Sequence, residues 1–308
     1  MISKDSKIYI AGHKGMVGSA IWRCLEQNGY SNLYGKTSQE LDLRNQNAVS
    51  VFLDELKPEA VIVAAAKVGG IMANKTYPYE FLMDNIIIQH NIIQSSFNLG
   101  INKLIFLGSS CIYPKYAPQP IHEDSLLTSS LEPTNEAYAI AKIAGVKACQ
   151  AIQSQYGREY VSLMPTNLYG INDNFDLNNS HVLPAMIRKF DDAKTQDNAD
   201  VVLWGSGQPL REFLYVDDLA EAVKYSLENS MPDYLYNVGF GSDLTIKDLA
   251  EIVQEIVGHT GKIIWDSSKP DGTPRKLMDS QKLNNLGWIP KVDLKEGIEK
   301  TYNWYKNR

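Results

Sequence analysis

Tyr138 and Lys142 stand four residues apart in a segment of helical periodicity, so their side chains share one face. A phenol ionises near pH 10 and exchanges protons poorly at neutral pH. An ammonium about 4 Å away is worth about 4 kcal/mol at an effective dielectric of about 20, enough to lower the phenol by up to about three units, less what burial takes back. Such a tyrosine can protonate a carbonyl oxygen as hydride reaches the carbon. Ser109, just beyond the apolar run Lys103–Gly108, can hydrogen-bond the same oxygen. Tyr-x-x-x-Lys is common by itself, and its position behind that run is what gives it meaning. Cys111 follows Ser109 by two residues, and an extended segment there would aim both side chains to one side.

A second constellation lies at the amino-terminal end. Gly12-His-Lys-Gly15-Met-Val-Gly18 follows a short β-rich run, Lys7–Ala11, and leads into a helical pattern over Gly18–Gln27. Glycines so placed permit a tight turn, close approach of the backbone to a pyrophosphate, and close helix–strand packing, with the helix N-terminus offering N–H donors. This predicts dinucleotide binding. The next strand, Asn32–Tyr34, ends in Gly35-Lys36 without an acid to hold ribose hydroxyls. Lys36, helped by Lys14, can neutralise a 2′-phosphate, which favours NADP; the plain alternative is two solvated lysines.

The elements that must position these groups alternate. A helix over Gln46–Leu56, a strand over Ala60–Ala66, a long helix over Tyr79–Leu99, the Lys103–Gly108 strand, a long helix over Asn135–Tyr156 and a strand over Tyr160–Met164 follow one another. That order predicts an α/β fold with a doubly wound parallel sheet of Rossmann type. The second half is less regular: an Asn-rich loop over Ile171–Ser180, helices over His181–Ala193, Val216–Glu228, Thr245–Val257 and Glu296–Lys306, and short strands at Val201–Leu203 and Tyr234–Val238. Thr245-x-x-Asp248 has the form of a capping box. The expected division is a cofactor domain over 1–170 with about 215–240, and a smaller, discontinuous substrate domain over about 171–214 and 241–308.

Composition narrows the class. The 308 residues are 44% hydrophobic and carry a net charge of −6, which leaves no basic excess for a general nucleic-acid binder. The longest apolar run, Ala60–Ala66, is too short for a membrane span, and Met1–Ser6 is polar, against a secretory signal. Cys24, Cys111 and Cys149 form neither a disulfide framework nor a metal-binding spacing. A reduced, cytoplasmic enzyme without metal is expected.

With Gly12-x-x-Gly15-x-x-Gly18, Asp42-Leu43, the Ser109, Tyr138 and Lys142 set, Pro165-Thr-Asn-Leu-Tyr-Gly170 and Arg211-Glu-Phe-Leu-Tyr-Val-Asp217-Asp218, the chain resembles the extended short-chain dehydrogenase/reductase family along its whole length. Within it, Ala-Ala-Ala-Lys-Val-Gly-Gly-Ile at 64–71, Ser-Ser-Cys-Ile-Tyr-Pro at 109–114, His181-Val-Leu-Pro-Ala and Asp271-Gly-Thr-Pro-Arg-Lys276 resemble the branch that epimerises C3 and C5 and reduces C4 of GDP-4-keto-6-deoxy sugars with NADPH, giving GDP-L-fucose. The resemblance implies that Cys111 is the base and His181 the acid of epimerisation, since a C4 ketone acidifies both neighbouring carbons. It implies cofactor contacts at Gly12, Lys14, Gly15, Met16, Val17, Gly18, Lys36, Asp42, Leu43, Ala65, Lys142, Pro165, Asn167, Leu168 and His181. It implies substrate contacts at Asn135, Lys189, Trp204, Arg211 and Lys276, the last two and Lys189 near the diphosphate. Lys189 stands where the branch carries arginine and loses the bidentate fork. The family often dimerises through a four-helix bundle, and the helices over Tyr79–Leu99 and Asn135–Tyr156 are apolar round much of their circumference, so a homodimer is expected.

Rival readings separate on residues. Dehydratases of this family carry an acidic pair where Cys111-Ile112 stands, and 4-epimerases need no Cys/His pair. A reductase that does not epimerise, action on a larger sugar such as a heptose, and a non-catalytic NADP-binding sensor or scaffold remain as alternatives.

Overall fold

The apolar run IYIA pairs as a strand because both its faces find cover. The computed structural model describes residues 2–177, 179–269 and 271–308; positions 1, in the polar amino-terminal stretch, and 178, in the Asn-rich loop, therefore lie outside it, as does 270. The chain opens with β1 (Ile8–Ala11), α1 (Met16–Gln27), β2 (Leu33–Tyr34), α2 (Gln46–Leu56) and β3 (Ala60–Val63). A short α3 (Ile71–Thr76) and the long α4 (Pro78–Asn98) precede β4 (Lys103–Leu107), and α5 (Glu136–Tyr156) precedes β5 (Glu159–Pro165). Then come β6 (Asn167–Tyr169), α6 (Val182–Lys194), β7 (Val201–Trp204), β8 (Leu210–Tyr215) and α7 (Val216–Glu228). The remainder is β9 (Leu235–Val238), β10 (Asp243–Thr245), α8 (Ile246–Val257), β11 (Ile263–Asp266), β12 (Arg275–Lys276), α9 (Gln281–Asn284) and α10 (Leu294–Lys306).

Six strands form one parallel sheet in the order β2-β1-β3-β4-β5-β9. Successive side chains alternate faces. Ile8 and Ile10 face a core with Ile21 and Leu25 of α1 and Leu219 and Val223 of α7. Tyr9 and Ala11 face the opposite core with Val49 and Leu53 of α2, Ile92 of α4 and Val146 of α5. The fold is thus the expected Rossmann-like α/β sandwich. The chain leaves β1 toward β2 and returns past it to β3, so a crevice opens at the carboxyl ends of β1 and β3, where such sheets bind ligands.

A smaller assembly stands at that end. β8 lies at its centre, antiparallel to β10 and parallel to β12 and β6, while β7 and β11 pair separately. Its core joins Leu183, Ile187 and Phe190 of α6 to Leu249 and Val253 of α8, Phe213 and Tyr215 of β8 and Ile298 of α10.

Several elements differ from the sequence reading. β6, β8, β10, β11 and β12 were not expected as strands. In β8 the pattern is broken by Arg211-Glu212, yet Glu212 is wholly buried, its carboxylate accepting from the Gly241 and Met278 amides at 2.7 and 3.0 Å. The segment after β4 is not extended either: Ser110–Ile112 winds into a 3-10 turn, and the Ser109 hydroxyl oxygen accepts from the Cys111 amide.

Candidate active site

The glycine turn is shaped by what it cannot hold. Gly12 has φ +85°, and a Cβ there would meet the Ala65 nitrogen at 2.7 Å. A Cβ on Gly18 would fall 2.1 Å from the Gly12 carbonyl oxygen, so α1 can approach the turn only because that position is bare. Gly15 is exposed and open, and α1 starts there without a side-chain cap, leaving first-turn amides of Met16 and Val17 for an outside acceptor. This is a cradle that a side chain would fill, and it fits the pyrophosphate of a dinucleotide. Lys14 and Lys36 are exposed beside it; Lys36 lies 3.7 Å from Glu40, and Asp42 pairs with Arg44 at 2.9 Å. Ala65, just after β3, packs against the Gly12 turn, Leu43 lies in the loop before α2, and Pro165, Asn167 and Leu168 belong to β5 and β6. Asn167 is already engaged, its amide donating to the Glu212 carbonyl at 2.8 Å.

Helix α5 carries Tyr138 and Lys142 on one face, as spacing requires. Lys142 is buried and donates to the Leu107 carbonyl at 2.9 Å, at the end of β4; its ammonium lies 5.9 Å from the Tyr138 ring centre. Burial lowers Lys142 to about 8, with Cys111 opposing. The phenol of Tyr138 is raised, first by burial and then by Cys111. The expected lowering by lysine is therefore absent: the ammonium is turned to a backbone carbonyl, and desolvation prevails. The protonated phenol is the form that an acid needs.

Cys111 follows Ser109 into the same space. Burial pushes its thiol above the usual range, and Lys276, the Ser109 hydroxyl and Lys142 offset this only in part. Cys24 and Cys149 are likewise pushed up, to about 12, by burial, and no lysine ammonium of the site faces them. His181 sits at the N-terminus of α6, exposed to solvent, and is lowered by desolvation against the surrounding protein and then by the Lys276 charge. Four separate stretches of chain thus form a series of neighbours: Cys111 shares a cavity with Lys276 and has Tyr138 and Lys142 within electrostatic reach, and His181 has Lys276 within reach.

Cys111 lines a cavity with Tyr113, Lys115, Glu132, Asn135, Thr273, Arg275 and Lys276. Asn135 stands at the N-cap position of α5 but caps nothing, and its side-chain oxygen is buried without a partner. An acceptor held in that state is poised for a ligand. Arg211 is half-buried, lowered by burial, and donates to the Leu210 carbonyl at 2.8 Å. Lys189 donates to the Val202 carbonyl at 2.8 Å and lies 6.0 Å from the ring centre of Trp204, which is exposed. Glu132, Thr273 and Arg275 were not anticipated, since nothing in their spacing marks them. Among the described residues no group of acidic, histidine or cysteine side chains could hold a metal ion.

The comparisons with known proteins agree with this geometry. Residues 8–239 match the model of the NAD dependent epimerase/dehydratase family. The chain is 58% identical over 305 residues to GDP-L-fucose synthase 1 of Arabidopsis thaliana, covering 99% of this chain and 94% of that protein. It superposes on a GDP-6-OMe-4-keto-L-xylo-heptose reductase from C. jejuni with a TM-score of 0.95 at 38% identity, covering 99% of each chain. It also superposes on a GDP-mannoheptose C4 reductase from Campylobacter jejuni with NADP bound, TM-score 0.92 at 39% identity, covering 99% of this chain and 100% of that one. With the glycine cradle, the Ser109, Tyr138 and Lys142 set and these similarities together, the chain belongs to the NAD dependent epimerase/dehydratase family.

Proposed function

We propose that this protein converts a GDP-4-keto-6-deoxy sugar to GDP-L-fucose, inverting C3 and C5 and then reducing C4 with NADPH. The observation that carries this reading is the cavity that Cys111 shares with Asn135 and Lys276, with Tyr138 and Lys142 of α5 near Cys111 and His181 near Lys276. The 58% identity to the Arabidopsis GDP-L-fucose synthase supports it.

The ketone at C4 acidifies the hydrogens on C3 and C5. The Cys111 thiolate takes one: the C–H bond breaks, an S–H bond forms, and the electron pair moves to the C4 oxygen. His181 returns a proton from the opposite face, and both groups are then restored by exchange with solvent. NADPH, held by the Gly12–Gly18 cradle with Lys14 and Lys36 at its 2′-phosphate, supplies the hydride for C4. Tyr138 gives its proton to the C4 oxygen, Ser109 hydrogen-bonds that oxygen, and Lys142 orients the phenol. Arg211 and Lys189 face the diphosphate, Trp204 covers it, and Asn135 accepts from a sugar hydroxyl.

In this reading residues 1–170 and about 215–240 carry the cofactor, and about 171–214 and 241–308 carry the sugar nucleotide. The partner is a second copy of the chain, joined through α4 and α5, whose outer faces leave Tyr79 and Ile140 exposed. The compartment is the cytoplasm; among the described residues no helix is long and apolar enough to cross a membrane. A second reading, reduction of a GDP-4-keto-heptose, is favoured by the TM-score of 0.95 to the heptose reductase.

The test combines NADPH absorbance, product stereochemistry by NMR and deuterium uptake from solvent, with GDP-4-keto-6-deoxy-D-mannose and a heptose analogue side by side. Cys111→Ser should lose deuterium uptake at C3 and C5 and keep NADPH affinity. Uptake at the normal rate would remove Cys111 as base, and no NADPH oxidation with either sugar would remove the enzyme reading.

A further inference from the structure

Lys276 is one of the three cations, with Arg211 and Lys189, that the resemblance places near the diphosphate. It sits on β12, paired with Arg211 of β8, and lines the cavity that contains Cys111. The other cations of that cavity are neutralised, Lys115 by Glu132 at 2.8 Å and Arg275 by Asp243 at 2.6 Å. Among the described residues Lys276 forms no ion pair. A half-buried ammonium without a carboxylate partner is a charge reserved for something else.

The three residues that follow it are held by hydrogen bonds of their backbone. The Leu277 amide donates to Gln119 Oε1 at 2.8 Å, and the Leu277 carbonyl accepts from the Ile121 amide at 2.8 Å. The Met278 amide donates to Glu212 Oε2 at 3.0 Å, the Asp279 amide to the Ile121 carbonyl at 2.9 Å, and the Asp279 carbonyl accepts from Asn237 Nδ2 at 3.0 Å. Glu212 is fully buried, and its Oε1 accepts from the Gly241 amide at 2.7 Å. A buried carboxylate is tolerable only when its oxygens are so satisfied, and here that requirement joins β8, the turn after β9 and the segment after β12.

We propose that Lys276 supplies the positive charge facing the Cys111 sulfur during proton abstraction and that Glu212 is the positioning residue that holds it there; this rests on the reading of Cys111 as the epimerisation base. The charged and titratable groups around the sulfur come from several elements: Tyr138 and Lys142 from α5, Ser109 from its own turn and Lys276 from β12. Lys276 in turn faces Arg211 from β8, Glu132 from the segment before α5, and His181 before α6. One ammonium therefore does two things. It favours the thiolate, making the base easier to form, and it disfavours the imidazolium, making His181 a stronger proton donor.

The experiment measures two pH profiles in the wild type, Lys276→Met, Lys276→Arg and Glu212→Gln. The first is deuterium uptake at C3 and C5 of GDP-4-keto-6-deoxy-D-mannose without NADPH. The second, without substrate, is alkylation of Cys111 by iodoacetamide, located by peptide mass spectrometry. Lys276→Met should raise the alkylation midpoint by about one unit or more and move both limbs of the uptake profile to higher pH. Lys276→Arg should keep both midpoints, and Glu212→Gln should shift them in the same direction by less. Unmoved midpoints in Lys276→Met overturn the proposal, whether uptake falls uniformly, as for a structural role, or KM alone rises, as for a diphosphate contact. If the wild type takes up no deuterium from this sugar, the functional reading fails, and the alkylation midpoints still decide whether Lys276 acts on the thiol.

Discussion

In the six-stranded sheet β1, β3 and β4 are buried along their whole length, and apolar side chains on both faces fix their order. Around β8 the strands are mixed, down to the two residues of β12, and buried polar groups pin them: Glu212 to Met278 and Gly241, and, from β9 at the edge of the first sheet, Asn237 to Ile121 and Asp279. The first region places a cofactor cradle through packing. The second places Arg211 and Lys276 through hydrogen bonds. Packing is set by steric fit among many neighbours, whereas a buried bond network depends on each donor and acceptor in it, so the two regions should fail differently.

The largest expected effect breaks the cradle alone. Gly12→Val puts a branched side chain at φ +85° with its Cβ 2.7 Å from the Ala65 nitrogen, so the turn must shift. A misfit of this kind costs about 2–3 kcal/mol, and NADPH affinity should fall roughly a hundredfold by calorimetry. GDP affinity should change less than about threefold. A parallel loss of GDP affinity would show that the two regions are not separable.

A smaller effect concerns what the site withholds from stability. Lys142 is buried and lowered to about 8, so at neutral pH its charge is held against its preference. The unfolded chain keeps that proton until about pH 10.4. Between those values the unfolded state binds more protons, so this group's contribution to stability rises with pH. Lys142→Met removes the charge and the bond to the Leu107 carbonyl together, and the apo protein should gain about 2 kcal/mol at pH 7 while C4 reduction is lost. The gain should shrink toward pH 10 in urea titrations. A variant less stable than the wild type at pH 7 would show that the lysine's bond outweighs its desolvation.

The same contrast explains what could be read before the structure was known. The cradle and the Tyr138–Lys142 pair are each contained within one strand–turn–helix or one helix, where spacing dictates geometry. α2 and α7 also fall at the expected bounds, because apolar periodicity and burial coincide there. The β8 sheet was not legible: its paired strands come from segments about 30–65 residues apart in sequence, and Arg211-Glu212 reads as surface unless the partners of the carboxylate are known. The extended backbone expected through Ser109 and Cys111 failed for a local reason, because the serine hydroxyl caps a turn instead of continuing the strand, although the two side chains still meet.

Among the elements of the less regular region that were legible, α8 offers the finest test of the comparison. Thr245 accepts from the Asp248 amide at 3.0 Å, and Asp248 Oδ2 accepts from the Thr245 amide at 3.3 Å, closing the capping box foreseen at the start of α8. These bonds are exposed and local, so they belong to neither the packed sheet nor the buried polar network. Thr245→Ala should cost about 1 kcal/mol of unfolding free energy and leave both NADPH and GDP affinities unchanged. Because β10 ends at this threonine and pairs with β8 at Leu210, next to Arg211, a fall in GDP affinity beyond the loss of stability would mean that the cap also holds the strand. In that event local helix capping would join Glu212 and Asn237 among the devices that place the substrate-side cations.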